Sequence, residues 1–237
     1  MDRVLQINVN HSGPAQALAL QVLRKERAGV LAIAEPHRVP DSPAWAGDLD
    51  NRAAVTWFTR PGNRPMRGVL ERGHGFVAVR WGRVALFACY FPPSMYAVDF
   101  REGLGAFADS IRWVGGDSVL VLGDFNAKSS TWGCPRTDRR SHEVDRWAVE
   151  LGLYVLNAGR APTCVRPQGT SIVDLSWGSA SVLPLVRGWR VLARSESLSD
   201  YRYITFGVAG GRGGRGSESS TGNVPSLEDQ RVGPQPV

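Results

Sequence analysis

Asp124 and Asn126 stand two apart at the end of the apolar run Val119-Leu120-Val121-Leu122, with Gly123 between the run and the acid. A short apolar run closed by such residues reads as a buried strand that delivers an acid and an amide to one sheet end. In an extended segment residues two apart point the same way, so both face one cleft, and the glycine lets the backbone turn closely there. A carboxylate beside a neutral amide suits a phosphoryl group. The acid orients a water, and the amide donates to a phosphate oxygen without adding negative charge where charge is already developing. Asp-x-Asn after a strand is also a common turn or helix cap, so the rest of the chain has to decide.

The elements that must position this pair can be read from periodicity and punctuation. Val4 to Val9 alternates like a strand, and Ser12 and Pro14 open a helix that Gly29 closes. Strand patterns follow at 30–34, 53–58, 75–80 and 84–91, the last two joined by Trp81-Gly82-Arg83 as an antiparallel pair. Helices are expected at 100–114 and 141–151, with short strands at 153–156, 172–177, 189–192 and 202–208. Helices interspersed among many strands and hairpins favour an α/β (α+β) fold of two packed mixed β-sheets flanked by helices, a four-layer α-β-β-α sandwich, over a doubly wound parallel sheet.

With 237 residues, 43% of them hydrophobic and eight of them Trp, the chain is long and apolar enough for one large core. Residues 1–208 form the expected domain, and 209–237, rich in Gly, Arg, Ser and Pro, read as a flexible tail or linker. The tail's three Arg balance its three acids, so the net charge of +6 belongs to the folded body and makes a polyanion a plausible partner. Three widely spaced Cys without a Cys-x-x-Cys pair argue against a disulfide framework or a zinc site and for a reducing compartment. No signal peptide and no apolar stretch long enough to span a bilayer is present, so a soluble intracellular chain with no membrane partner is expected. His142-Glu143 lacks the second His of a zinc protease, since Arg146 stands there, and no phosphate-binding Gly-x-x-x-x-Gly-Lys occurs.

A series of polar residues closes the strands: Asn8, Glu35, Tyr90, then Asp124 and Asn126, Asp174 in Ser171-Ile172-Val173-Asp174-Leu175, and Asp200 in Ser199-Asp200-Tyr201. Taken singly each has a plainer reading: Asn8 as a turn cap, Tyr90 as a core aromatic, Glu35 as a solvated surface acid, Asp174 as a satisfied structural carboxylate. Those readings do not explain the order. In that order, with Trp132-Gly133, Leu156-Asn157 and Pro162-Thr163 between, the chain resembles the endonuclease/exonuclease/phosphatase superfamily over residues 4–208. It looks most like the endonuclease domains of non-LTR retrotransposons, among them the site-specific elements that insert into ribosomal RNA genes or telomeric repeats.

The resemblance implies a nuclease that nicks DNA to leave a 3′ hydroxyl, used as primer by a reverse transcriptase domain of the same polyprotein, with its point of action in the nucleus. It implies Mg²⁺, or Mn²⁺ in its place, bound by Glu35 with Asn8 beside it and Asp200 sharing the ion. One or two carboxylates plus a substrate phosphate suffice for such an ion. Asp124 would orient or deprotonate the attacking water, Asn126 would hold it or a phosphate oxygen, and Tyr90 would donate to the phosphate. The family ends this set with Ser-Asp-His, its His contacting the phosphate and gripped by the position of Asp174. Here the residue is Tyr201. A phenol of pKa near ~10, against ~6.5 for His, cannot supply a cation at pH 7, and losing a general acid or base costs ~10² to 10⁴ in rate. Two accounts follow: impaired cleavage by an otherwise complete site, or a catalytically weak or inactive DNA-binding and targeting module. Another phosphodiesterase or phosphatase of the superfamily is a further alternative.

For double-stranded DNA the basic stretches 60–67, with Arg60, Arg64 and Arg67, and 136–140, with Arg139 and Arg140, are candidate phosphate contacts, or ordinary solvated charge. In the resembling domains a hairpin between late strands and the loop after the second strand reach toward the grooves. These map to 178–188 with Arg187, and to 38–51 with Arg38.

Overall fold

The computed structural model describes residues 1–210 apart from Gly62, Gly115 and Asp117, so most of the expected tail at 209–237 lies outside the described residues. One six-stranded sheet runs in the order β13 (Val186–Val191), β14 (Ile204–Val208), β1 (Asp2–Asn8), β2 (Val30–Ala34), β4 (Ala53–Trp57), β3 (Trp45–Gly47). The other runs β5 (Met66–Arg72), β6 (Phe76–Trp81), β7 (Val84–Tyr90), β8 (Val119–Asp124), β12 (Asp174–Ser179), β9 (Leu153–Val155). Both are mixed: β1 pairs parallel with β2 and β7 parallel with β8, while the other pairings are antiparallel. A separate two-stranded hairpin, β10 (Cys164–Arg166) with β11 (Gly169–Ser171), stands outside them.

Helix α1 (Gly13–Lys25) begins where Ser12 accepts from the Ala15 amide and Pro14 fits the first turn. Its Ala15, Ala19 and Leu23 pack with Leu5, Ile7, Leu31 and Ile33 on the outer face of the first sheet. Helices α2 (Ala97–Val114) and α3 (Arg139–Glu150) cover the second sheet, burying Phe107 and Trp147 against Phe87, Phe125 and Trp177. Between the sheets lie Val4, Val30, Val55, Val79, Leu86, Leu120, Leu122 and Phe206. This is the expected α-β-β-α sandwich. Among the described residues no helix is long and apolar enough to cross a membrane.

Three elements escape the sequence pattern: β3, β5 and the β10–β11 hairpin. The expected basic loop at 60–67 in fact runs into β5, whose first residues are Met66 and Arg67. Gly123 also differs from expectation. It sits inside β8, and a Cβ there would strike the carbonyl oxygen and Sγ of Cys89 on β7, so close strand packing rather than a turn excludes a side chain.

Candidate active site

Strand alternation places the polar set. On β1, Val4 faces the other sheet while Leu5 and Ile7 face α1, so Asn8 continues the inward row of Val4 and Gln6. On β7 the inward row Val84, Leu86, Ala88 ends in Tyr90; on β8 the row Leu120, Leu122 ends in Asp124. Asp174 opens β12 on the row of Ser176, directly opposite Asp124 in the antiparallel register. Four strands thus bring four inward residues to one end of the seam between the sheets, and Glu35 follows β2 at that same end.

These side chains touch. Asn8 Nδ2 donates to Glu35 Oε2 at 2.7 Å and to Asp124 Oδ2 at 3.0 Å. Tyr90 donates to Glu35 Oε1 at 2.7 Å, and His11 Nε2 lies 3.5 Å from that oxygen. The Asn126 amide donates to Asp124 Oδ1 at 2.8 Å, while its side chain donates to the Phe91 carbonyl at 3.1 Å. Glu35 and Asn126 both hold left-handed backbone, at φ 48° and 47°. For Glu35, ahead of Pro36, that conformation costs about 1–3 kcal/mol and persists because its neighbours fix it. The Glu35 amide donates to the Arg52 carbonyl at 2.8 Å, and its carbonyl accepts from the His11 amide at 2.9 Å.

Burial and mutual repulsion dominate the electrostatics. Asp124, fully buried, is pushed up to about 7 by desolvation, with Glu35 adding to the rise and the Asn126 amide, Asn8 and Tyr201 opposing it. Asp174, 1% exposed, is pushed well above the carboxylate range by burial and then by the Asp124 charge. Neither of its carboxyl oxygens has a hydrogen-bond partner; the Thr163 hydroxyl, which accepts from the Val173 and Asp174 amides, is near enough to favour the charged form without closing a bond. A buried acid without a donor is held neutral. The Tyr90 and Tyr201 hydroxyls are both pushed upward, chiefly by burial, and stay protonated.

Tyr201 fills the place read as the family's His. It is 2% exposed, close enough to Asp124 to favour that residue's charge, and it accepts from Arg166 Nη2 at 3.0 Å. Asp200 has its carboxylate 42% exposed and accepts from Arg166 Nε at 3.1 Å, an ion pair on the cleft wall. Ser199 holds the Asn8 carbonyl at 2.9 Å, tying the Ser-Asp-Tyr segment to the end of β1.

A cleft of about 910 Å³ opens beside this cluster, meeting it at Asn126 and Tyr201. Its walls include Lys128, Arg140 and the hairpin tip Arg166-Pro167-Gln168-Gly169. Sequence reading missed Arg166 and Lys128: the hairpin strands are three residues each, too short for an alternating pattern, and Pro167 with Gly169 marks only a turn. Among the expected DNA contacts, Arg38 is exposed on the loop after Glu35, and Arg139 is exposed at the start of α3. Arg140 is anchored rather than free, with its guanidinium 4.0 Å from the Phe100 ring centroid and Nη1 donating to the Pro92 carbonyl at 2.7 Å.

The remaining expectations fail on register. Ala34 pairs with Ala53 and Val30 with Trp57, so the chain after β4 leaves from the end opposite Glu35, taking Arg60 and Arg64 with it. Arg64 is an internal clamp: it pairs with Asp2 at 3.2 Å, lies over Trp81 and donates to the Ala209 carbonyl. Arg67 lies near the start of β5, whose Met66 pairs with Trp81, far from Tyr90. Gly178 pairs with Leu120 and Arg187 with Gly207, which places 178–188 on the order of 15 Å from the site. The hairpin beside the cleft is β10–β11 instead.

The donor set at Glu35, Asn8 and Asp124 is all oxygen and amide, the chemistry of a small hard cation. Among the described residues no group of three or more His, Cys, Asp or Glu side chains converges as a closed metal cage. Mg²⁺, which keeps several waters and takes one or two carboxylates, is the kind of ion that Glu35, with Asn8 beside it, would hold.

Residues 84–205, just over half the chain, match the family model described as endonuclease-reverse transcriptase. The fold matches the endonuclease domain of TRAS1, a telomere-specific non-LTR retrotransposon, with TM-score 0.72 and 27% identity over 88% of this chain and 98% of that one. It also matches the 3′-5′ exonuclease NExo from Neisseria meningitidis, with TM-score 0.64 and 14% identity over 87% of this chain and 99% of that one. A structure of the Neisseria 3′ phosphatase NExo bound to a product DNA hairpin aligns at TM-score 0.68 and 14% identity, over 88% and 99%. No curated protein matches.

Proposed function

The chain belongs to the endonuclease-reverse transcriptase family, and from that membership and its site we propose that it nicks double-stranded DNA in a divalent-metal-dependent reaction, leaving a 3′ hydroxyl to prime reverse transcription. The chain is a hydrolase of the nuclease superfamily. The observation that carries the finer reading is the contact chain Tyr90–Glu35–Asn8–Asp124–Asn126, five residues from four separate segments joined at one sheet end.

In the reaction a water attacks the phosphorus in line, the bond from phosphorus to O3′ breaks, and O3′ takes up a proton. Asp124, poised near neutrality, accepts the proton of the attacking water. Asn8 and the Asn126 amide fix its carboxylate. The Asn126 side chain, at the cleft edge, and Tyr90 direct donors toward the phosphate once the scissile group displaces their present contacts. Mg²⁺, or Mn²⁺, held by Glu35 beside Asn8, would supply charge stabilisation to the phosphate and the departing oxygen. Arg38, Arg139 and the fixed Arg140 flank the approach and make sequence-independent phosphate contacts. Tyr201 in the His position leaves the turnover reduced. The nick serves a reverse transcriptase domain of the same polyprotein, acting on nuclear DNA, as the TRAS1 likeness supports.

Supercoiled plasmid with Mg²⁺ tests the reading. The protein is expected to give open circles with polymerase-extendable 3′ ends, EDTA to stop the reaction and Glu35→Gln to abolish it. Salt-dependent DNA binding with no nicking under any metal would leave the targeting module as the function.

A further inference from the structure

The position that the resemblance assigns to an imidazole is filled here by a residue that cannot carry positive charge. Yet a cation stands one hydrogen bond away. Arg166 Nη2 donates to the Tyr201 hydroxyl at 3.0 Å and Nε to Asp200 Oδ2 at 3.1 Å, so one guanidinium spans both neighbours in the segment that faces the cleft. Its carbon lies 5.5 Å from the Tyr201 ring centroid, and the side chain is 43% exposed on the cleft wall. The backbone holds this arrangement: Cys164 bridges Tyr201, the Val165 amide donates to the Asp200 carbonyl at 2.7 Å, and the Arg202 amide donates to the Thr163 carbonyl at 2.7 Å. The hairpin that carries Arg166 is therefore stitched to the segment that carries Tyr201.

Building on the nuclease reading above, we propose that Arg166 is a catalytic residue of this chain, its guanidinium supplying to the reacting phosphate the positive charge that an imidazolium would supply at position 201. Two of the guanidinium's donor directions are used by Tyr201 and Asp200, and its remaining N–H groups are left for a phosphate oxygen in the cleft. Tyr201 acts as the strut that sets the guanidinium's reach, and Asp200 fixes its plane. Arg replaces the charge of the imidazole and leaves its proton transfer unreplaced, since a guanidinium does not deprotonate in proteins. Asp174, which has no partner here, is the residue of the original pair that this arrangement leaves idle.

The test is steady-state nicking of plasmid in Mg²⁺ by the wild type, Arg166→Ala, Arg166→Lys, Tyr201→His and the double variant Tyr201→His/Arg166→Ala, with circular dichroism to confirm folding. Arg166→Ala is expected to lose ~10²-fold in kcat, as removal of one preorganised donor does, and to regain part of it with added guanidinium ion. Arg166→Lys keeps the charge without the fork and is expected to lose about tenfold. In the Tyr201→His background the alanine substitution is expected to cost less than about threefold, because the imidazolium then carries the charge. A wild type that nicks while Arg166→Ala keeps its kcat, or an equal loss in both backgrounds without guanidinium rescue, overturns this inference alone. So does a silent wild type made active by Tyr201→His. No metal-dependent nicking by any of the five proteins overturns the nuclease reading and this inference with it.

Discussion

Replacing Tyr201 by His reinstates the side chain whose absence sets this site apart. Tyr201 is 2% exposed and touches Arg166, so the phenol's loss removes one hydrogen bond to a charged donor, worth about 1.5–3 kcal/mol. Against that, the imidazole reaches Asp174, whose two carboxyl oxygens have no partner, and supplying one recovers about 1–3 kcal/mol or more. The two changes offset, and the melting temperature of Tyr201→His is expected to stay within a few degrees of the wild type. The rate does not offset. An imidazolium between Asp174 and the phosphate adds both a cation and a transferable proton, and nicking in Mg²⁺ at pH 7 is expected to rise at least tenfold, about 1.4 kcal/mol of transition-state stabilisation, within the ~10²- to 10⁴-fold ceiling of acid–base catalysis. The gain is expected at neutral pH, where part of the imidazole population is charged, and fades as pH rises above the imidazole's value. Initial rates of open-circle formation from supercoiled plasmid, at matched folded concentration, measure it. An unchanged rate with intact folding would refute the assignment of position 201 to the reacting phosphate.

Stability of the metal-free protein is expected to fall as pH rises. The Asp124 acid is lifted in the folded state from its ordinary value of 3.8 to about 7, so the folded chain binds the proton more tightly than the unfolded chain. The associated stability is complete below about pH 4 and is lost progressively up to about 7, by the order of a few kcal/mol. Denaturant midpoints in EDTA across that range should flatten for Asp124→Asn; an unaltered slope would contradict the desolvation account. Arg38→Gln and Arg139→Gln should weaken DNA binding on all sequences alike and each lower the salt slope by about 1, whereas Arg60→Gln, Arg67→Gln and Arg187→Gln should leave fluorescence-anisotropy titrations of the target duplex unchanged. Gly123→Ala places a methyl group into the Cys89 carbonyl and sulfur and is expected to cost about 1–3 kcal/mol or more of stability, seen as a lower urea midpoint.

The fold and the centre of the site were legible because the same pattern writes both. β1, β7 and β8 are largely apolar runs buried on both faces, and each ends in a polar residue, so Asn8, Tyr90 and Asp124 could be read together from three unconnected strands. What failed was position along the strand direction. Arg60 and Arg67 stand out by composition and Arg187 by the resemblance, and neither says to which end of a sheet a loop returns; the pairings of Ala34 with Ala53 and of Arg187 with Gly207 do. The ion pair of Asp200 was illegible for another reason. Its motif neighbours predicted the segment correctly, but its partner, Arg166, lies on a three-residue strand with no periodicity to announce it.

That difference bears on how the site came to tolerate a tyrosine. The residues legible from strand ends are locked by sheet register, where moving one moves a row. Arg166 hangs from a hairpin outside both sheets, fastened at its base to residues 200–202 through the Cys164–Tyr201 bridge. A substitution at 201 therefore changes the contact surface of a nearby arginine and removes the phenol's support of the Asp124 charge, while the bonds that join Asn8, Glu35 and Asp124 involve no atom of the hairpin. In the proposed reaction the charge offered to the phosphate passes from residue 201 to Arg166 while Asp124 and Glu35 stay in place. A site built that way loses rate before it loses geometry.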